Sequence, residues 1–130
     1  VRGSPHLLSR PSVGIVGARN ASINAQRLAQ SLAEDLATEG YVIVLGLARG
    51  IDAAAHNGAL AGGTVAVIAG GIDIICPPEN ADLHESIAET GLLVAEMPPG
   101  TQPTPRHFPI RNRIIGALAL SVVVVEAAAR

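Results

Sequence analysis

Two observations predict a doubly wound α/β domain on a mostly parallel sheet of about five strands. Short apolar runs alternate with helical patterns along the chain, and those runs are continuous rather than interleaved with polar residues. Regular alternation of strand and helix makes each connection a crossover, which sets neighbouring strands parallel. An unbroken apolar run belongs to a strand covered on both faces. At 130 residues and 13.2 kDa the chain is the size of one domain.

Each element follows from local signals. Residues 13–17, Val-Gly-Ile-Val-Gly, read as a buried first strand. Ser22 is a good helix cap, and Leu28, Leu32 and Leu36 recur every fourth residue behind it. Gly40 closes that helix, and residues 41–45 form the second strand, ended by Gly46. Residues 51–60 read as a helix whose Ala53, Ala54 and Ala55 allow close packing, and Gly62-Gly63 stops it. The third strand is 64–68. Pro77-Pro78 marks a break before a short helix over 79–89. Gly91 precedes the fourth strand, 92–95. Prolines at 98, 99, 103, 105 and 109 make 97–109 a long loop. A helix over 111–119 and a fifth strand over 122–125 complete the order. Residues 1–12 are expected to be a linker or the tail of a preceding segment. A sheet of this class usually continues with a further helix, so the domain over 13–130 is expected to be incomplete at its C-terminus.

Composition narrows the function. Tryptophan is absent and there is one Phe and one Tyr, so the core is aliphatic. The single cysteine, Cys76, excludes an internal disulfide and a cysteine-rich zinc site. Mean hydropathy is +0.39. The longest apolar stretch, 114–125, is interrupted by Ser121 and falls short of the roughly 18 residues that argue for a membrane span. The first residues resemble neither a signal nor a transit peptide, and no membrane role is expected. Net charge is −2, yet the nine basic residues are all arginine and unevenly placed. No acid precedes Glu34, and none lies between Glu96 and Glu126, where Arg106, Arg111 and Arg113 cluster. A mildly acidic chain can therefore carry a local cationic site.

In a doubly wound sheet, ligands bind beyond the carboxyl ends of the strands. Three segments fall there, and each combines glycine or an aromatic with arginine. The first is Gly17-Ala18-Arg19. Glycine admits a ligand to the backbone, the following helix offers N–H groups to an anion, and arginine adds a fork suited to phosphate. Its plainer reading is a tight strand-to-helix turn with a surface arginine. The second is Gly46, Ala48, Arg49, Gly50 and Asp52, with His56 one helical turn beyond. No serine or cysteine nucleophile accompanies the Asp52–His56 pair, so it reads as structural. The third is Arg106, Phe108, Arg111, Asn112 and Arg113, in which Phe108 lies in a proline-rich loop. An aromatic beside arginines suits single-stranded nucleic acid, where bases stack and phosphates pair. The plainer alternative is that Phe108 plugs the domain edge, as a lone Phe in an aliphatic protein often does, and that Arg111 or Arg113 tie down the loop. Asp73, Glu79 and Asp82 read as a solvated loop, and no histidines share metal-ligand spacing.

Together the segments VGIVGAR (13–19), GLARGIDAAAH (46–56) with GAL after it, PPEN (77–80), GLLVAEMPPGTQP (91–103) and FPIRNRIIGAL (108–118) resemble the DprA/Smf family of DNA-processing proteins over nearly the whole chain. The resemblance implies an extended Rossmann-like domain of a cytoplasmic protein that binds single-stranded DNA, protects incoming DNA in natural transformation and helps load RecA. It implies a homodimer in the full-length protein, no cofactor and no catalytic turnover. The family's basic pocket maps onto Gly17 and Arg19, the segment 46–52, and Phe108 with 111–113. Three departures each remove a polar group: Ala18 and Leu45 stand where serine is usual, and Ile110 where a basic residue is frequent. Two other readings remain. One is an enzyme like the lysine-decarboxylase-like phosphoribohydrolases, although Ile-Asp follows Gly70-Gly71 and the Thr-x-x-Glu of their turn has no match here. The other is an interaction protein whose pocket has lost its ligand.

Overall fold

The structure, a computed structural model, describes residues 2–16, 22–47, 50–75, 77–119 and 121–124. Gly17, Ala18, Arg19, Ala48, Arg49 and Cys76 lie outside the described residues. The strands are β1 (Arg2–Gly3), β2 (Ser12–Val16), β3 (Val42–Leu45), β4 (Thr64–Ile68), β5 (Leu92–Ala95) and β6 (Ser121–Val124). The helices are α1 (Ile23–Thr38), α2 (Ile51–Ala59), α3 (Ala81–Thr90) and α4 (His107–Leu118), with 3-10 turns at Pro5–Ser9 and Pro78–Asn80. The sheet runs β1-β5-β4-β3-β2-β6. Among the described residues five strands are parallel, as the apolar runs predict, and β1 alone is antiparallel, Arg2 opposite Leu93.

Successive strand residues face opposite sides of the sheet, which explains the unbroken apolar runs. On one side Val13, Ile15, Ile43 and Leu45 pack with α1 and α2, and Ala66, Ile68 and Leu93 pack with Leu83 and Ile87 of α3. On the other, Val42, Val44, Val65, Val67 and Leu92 meet Leu7 and the inner face of α4, Ile114, Ile115 and Leu118. Each such fully buried aliphatic side chain contributes about 1.5–3 kcal/mol.

Two expectations are corrected, and the first residues pack on the domain. Within 1–12, expected to be a linker or the tail of a preceding segment, β1 extends the sheet, Leu7 is buried in the α4-side core, and Arg10 reaches two backbone carbonyls. The run is too short and polar for periodicity to reveal it. In α1 the buried stripe is Ala25, Ala29, Ala33 and Ala37, not the leucines; Leu32 and Leu36 flank the core, and Leu28 is 59% exposed. Close approach of α1 and α2 decides this. A Cβ on Gly58 would overlap the Gln30 carbonyl, and one on Gly62 would lie 2.5 Å from the Ala37 Cβ. Backbones this close admit methyl groups and exclude leucine. Finally, α4 begins at His107, so Phe108 and Pro109 lie in its first turn rather than in a loop. Proline is tolerated there because first-turn N–H groups have no intrahelical partner.

The strand order also locates the ligand edge. From β2 the chain steps outward through β3, β4 and β5, then returns past α4 to place β6 on the other side of β2. The order reverses between β2 and β6, and a doubly wound sheet binds ligands beyond the carboxyl ends at such a reversal.

Candidate nucleic-acid interface

Beyond the carboxyl end of β3, the backbone turns sharply at Gly46 and Leu47. Leu47 has φ 61, a left-handed conformation that costs a non-glycine residue about 1–2 kcal/mol. Its side chain is nonetheless 2% exposed, buried with Ile68, Leu83 and Leu93. Three side chains from three elements hold this turn. The Gly46 N–H donates to Asp52 Oδ2 of α2 at 3.3 Å. The Gly46 carbonyl accepts from Arg111 Nη1 of α4 at 2.7 Å. The Leu47 carbonyl accepts from Asn80 Nδ2 at 3.2 Å. Gly50, with φ 70, completes the described part of the turn.

Arg111 is only 7% exposed. Besides Gly46 it donates from Nη1 to the Val67 carbonyl at 3.3 Å and from Nε to Asn112 Oδ1 at 2.8 Å. Its Cζ lies 5.4 Å from the Phe108 ring centroid, within cation–π range. Gly46 is glycine because Arg111 lies on it: a Cβ there would be 2.5 Å from Cζ. The sequence groups Arg111 with Arg106 and Arg113 as candidate DNA ligands; the structure seats it inside, bridging the ends of β3 and β4. Arg106 and Arg113 are exposed, as is Asn112. The two arginines are seven residues apart, two helical turns, and so share the face of α4 opposite Arg111, Ile114, Ile115 and Leu118.

The start of α4 is fixed by the loop before it. Gly71 N–H donates to the Thr101 carbonyl at 2.8 Å, and Gly100 N–H donates to Asp73 Oδ1 at 2.7 Å. Asp73, read from sequence as a solvated loop residue, therefore clamps the β5–α4 loop onto the end of β4. His107 N–H donates to the Thr104 carbonyl, and Thr104 N–H donates to His107 Nδ1. Phe108 N–H reaches the Pro105 carbonyl at 3.4 Å, and Pro109 has no N–H. The first-turn donors of α4 are thus already engaged, and its exposed arginines carry the positive charge. Phe108 is half-buried, beside a crevice lined by Gly46, Gly70 and Pro103. That crevice holds about 20 Å³, room for a water but not a nucleobase, so a base would meet Phe108 at its rim.

Asp52 and His56 each have a partner on a different element, Asp52 on Gly46 and His56 on Thr64. His56 is fully buried, with Nδ1 2.6 Å from Thr64 Oγ1. The Thr64 hydroxyl donates to the Ile43 carbonyl at 3.2 Å, so the imidazole donates from Nδ1. Burial first, and the Arg111 charge second, push its pKa down to about 3. Neither Asn80 nor Asp73 stands out in sequence as a site residue. The signals for Asn80 are its place in the PPEN segment and its position at a helix start behind Pro77-Pro78. Among the described residues no three His, Cys, Asp or Glu side chains gather as a metal site, and no helix is long and apolar enough to cross a membrane.

Comparison with known proteins places these features in context. The sequence model of the family described as DNA recombination-mediator protein A matches residues 1–130. Protein Smf of Synechocystis is 45% identical over 119 residues, covering 90% of this chain and 30% of its own length. DNA processing protein DprA of Bacillus subtilis is 41% identical, over 96% of this chain and 43% of its own. The X-ray structure of DprA from Streptococcus pneumoniae superposes with a TM-score of 0.92 at 42% identity, covering 99% of this chain and 46% of that one. DprA from Helicobacter pylori, described for its single-stranded DNA binding mode, superposes with a TM-score of 0.94 at 32% identity, over 99% of this chain and 60% of that one. The chain spans less than half the length of these curated relatives.

Proposed function

The chain belongs to the DNA recombination-mediator protein A family, and on that premise we propose that it binds single-stranded DNA along the carboxyl edge of its sheet. The observation that carries the reading is the pair of exposed arginines, Arg106 and Arg113, on the outer face of the helix that also closes the Gly46–Leu47 turn. Both lie in a stretch of sequence without an acidic residue. Arg19 and Arg49 follow β2 and β3 in sequence. In this reading Gly17, Ala18, Ala48 and Gly50 let the phosphate backbone approach closely, Arg106, Arg113 and Asn112 bind it, and Phe108 offers a ring edge to a base, while Gly46 lies beneath, covered by Arg111. Asp52 and Arg111 shape the site from beneath. Binding involves no cofactor and no turnover. The full-length protein, acting in the cytoplasm as a homodimer, would protect incoming strands and help load RecA on them.

Fluorescence anisotropy with a labelled oligo-dT tests the reading. Wild-type affinity should fall steeply with salt, because arginines that neutralise phosphates release counterions. The double variant Arg106→Ala, Arg113→Ala should bind about tenfold or more weakly at low salt. Its slope of log K against log salt should be shallower by about 0.7 for each phosphate that is no longer neutralised. Affinity indifferent to salt, or a double variant that binds like wild type, would overturn the proposal. RecA loading is checked by asking whether the full-length protein speeds RecA filament growth on oligonucleotide already covered by single-strand-binding protein.

A further inference from the structure

The PPEN segment at 77–80 is shared with the family motifs but carries no charge suited to DNA, its one charged residue being the acid Glu79. We propose that Asn80 is a positioning residue: its side-chain amide latches the left-handed Leu47 turn in the conformation that the DNA site needs, without touching DNA itself. The inference rests on the single-stranded DNA reading above and deepens it.

Four observations support the latch. Asn80 occupies the cap position of α3, where asparagine ordinarily accepts a bond from the first helical turn. Here it makes no such side-chain cap bond. Instead Nδ2 donates to the Leu47 carbonyl, 33 residues away in sequence, inside the fold. Asn80 is 8% exposed, so this bond is shielded from water, and removing it would leave a buried carbonyl unpaired. Leu47, for its part, is the one non-glycine residue with positive φ among the described residues. Such a conformation persists only where the surroundings over-determine it, and such places cluster at functional sites. Asp52 and Arg111 bond to Gly46, whereas Asn80 bonds the strained residue itself. The 3-10 turn Pro78–Asn80, opened by Pro77, fixes the backbone from which Asn80 reaches.

The test compares Asn80→Ala, the space-filling Asn80→Leu and Arg113→Ala with wild type in the full-length protein. Two quantities are read: amide hydrogen exchange at Gly46, whose N–H is held by Asp52, and oligo-dT affinity across a salt series. Both Asn80 variants should lose exchange protection at that amide while the amides of β4 and α1 keep theirs. They should bind oligo-dT about tenfold more weakly with an unchanged salt slope, because every arginine that neutralises a phosphate is still present. Arg113→Ala should do the reverse, with a shallower slope and unchanged exchange. Unchanged protection at the turn in Asn80→Leu, loss of protection throughout the chain, or a changed slope would each overturn the latch. Failure of wild type to bind would overturn the DNA reading, and exchange at the turn would still decide whether Asn80 holds it.

Discussion

At the amino end of the sheet, Arg10 donates from Nη1 to the Gly62 carbonyl at 2.9 Å and from Nη2 to the Gly40 carbonyl at 3.0 Å. It ties together the connections that lead into β3 and β4. At the carboxyl end, Arg111 ties Gly46 to the end of β4 through their carbonyls. The same group, a guanidinium on two backbone carbonyls, closes both ends, but the setting differs. Arg10 is half-buried and Arg111 is buried. Where the backbone turns left-handed at the amino end, the residue is glycine: Gly40 with φ 96 and Gly63 with φ 133. At the carboxyl end glycine again takes positive φ, at Gly50 with φ 70 and Gly100 with φ 84, but a positive φ of 61 is also imposed on Leu47 and held by side chains from elsewhere. The amino end meets its positive φ with glycine, and the carboxyl end holds a strained leucine in one shape with side chains from elsewhere.

The sharpest way to break this comparison is to add one methyl group at each end. Gly46→Ala would drive Cβ into the Arg111 guanidinium and displace it from two carbonyls, costing about 3 kcal/mol. Gly40→Ala meets open space and suffers only from its positive φ, about 1 kcal/mol. Urea unfolding midpoints measure both, and equal destabilisation would mean that the two ends are not organised differently.

Removing the arginines themselves comes next. Arg111→Ala leaves the Gly46 and Val67 carbonyls without that donor inside the protein and should cost about 2–3 kcal/mol. Arg10→Ala exposes its carbonyls to water and should cost about 1 kcal/mol. An Arg111→Ala protein as stable as wild type would return Arg111 to the surface set.

A further test uses pH. His56 bonds Thr64 at the amino end of β4 and feels the Arg111 charge from the carboxyl end. Its folded pKa of about 3 lies below the ordinary 6.5, so below pH 6.5 the unfolded chain takes up the proton first. The stability of the neutral imidazole is complete above pH 6.5 and declines as pH falls toward 3. Between pH 6.5 and 5 the decline should be about 2 kcal/mol. His84, pushed down mainly by burial, adds to it with the same sign. Unfolding midpoints from pH 7 to 5 for wild type and His56→Leu check this, and an equally steep profile in the variant would show that His56 is not held neutral.

Much of the fold was legible because the signals are local. All five parallel strands were read to within about one residue at each end, because each is an apolar run closed by glycine, proline or a polar residue. The carboxyl-edge location of the site followed from strand–helix alternation. Two elements were not legible for local reasons: β1 has two residues, and the prolines before Arg111 masked the start of α4. The alanine face of α1 was hidden for another reason. Leucine carries the stronger hydrophobic signal, but the space left by α2 admits only methyl groups.

Sequence by itself determined the order of elements, the double-sided burial of the strands and the collection of arginine and glycine at one edge. All of these depend on which residues are neighbours along the chain. Only the tertiary structure decided that Arg111 lies inside while Arg106 and Arg113 face outward, that Asn80 serves a turn 33 residues away rather than its own helix, and that a leucine takes a glycine's conformation. Burial and hydrogen-bond partners are properties of the space between elements. That space exists only once the sheet has brought β3, β4, α3 and α4 to a common edge.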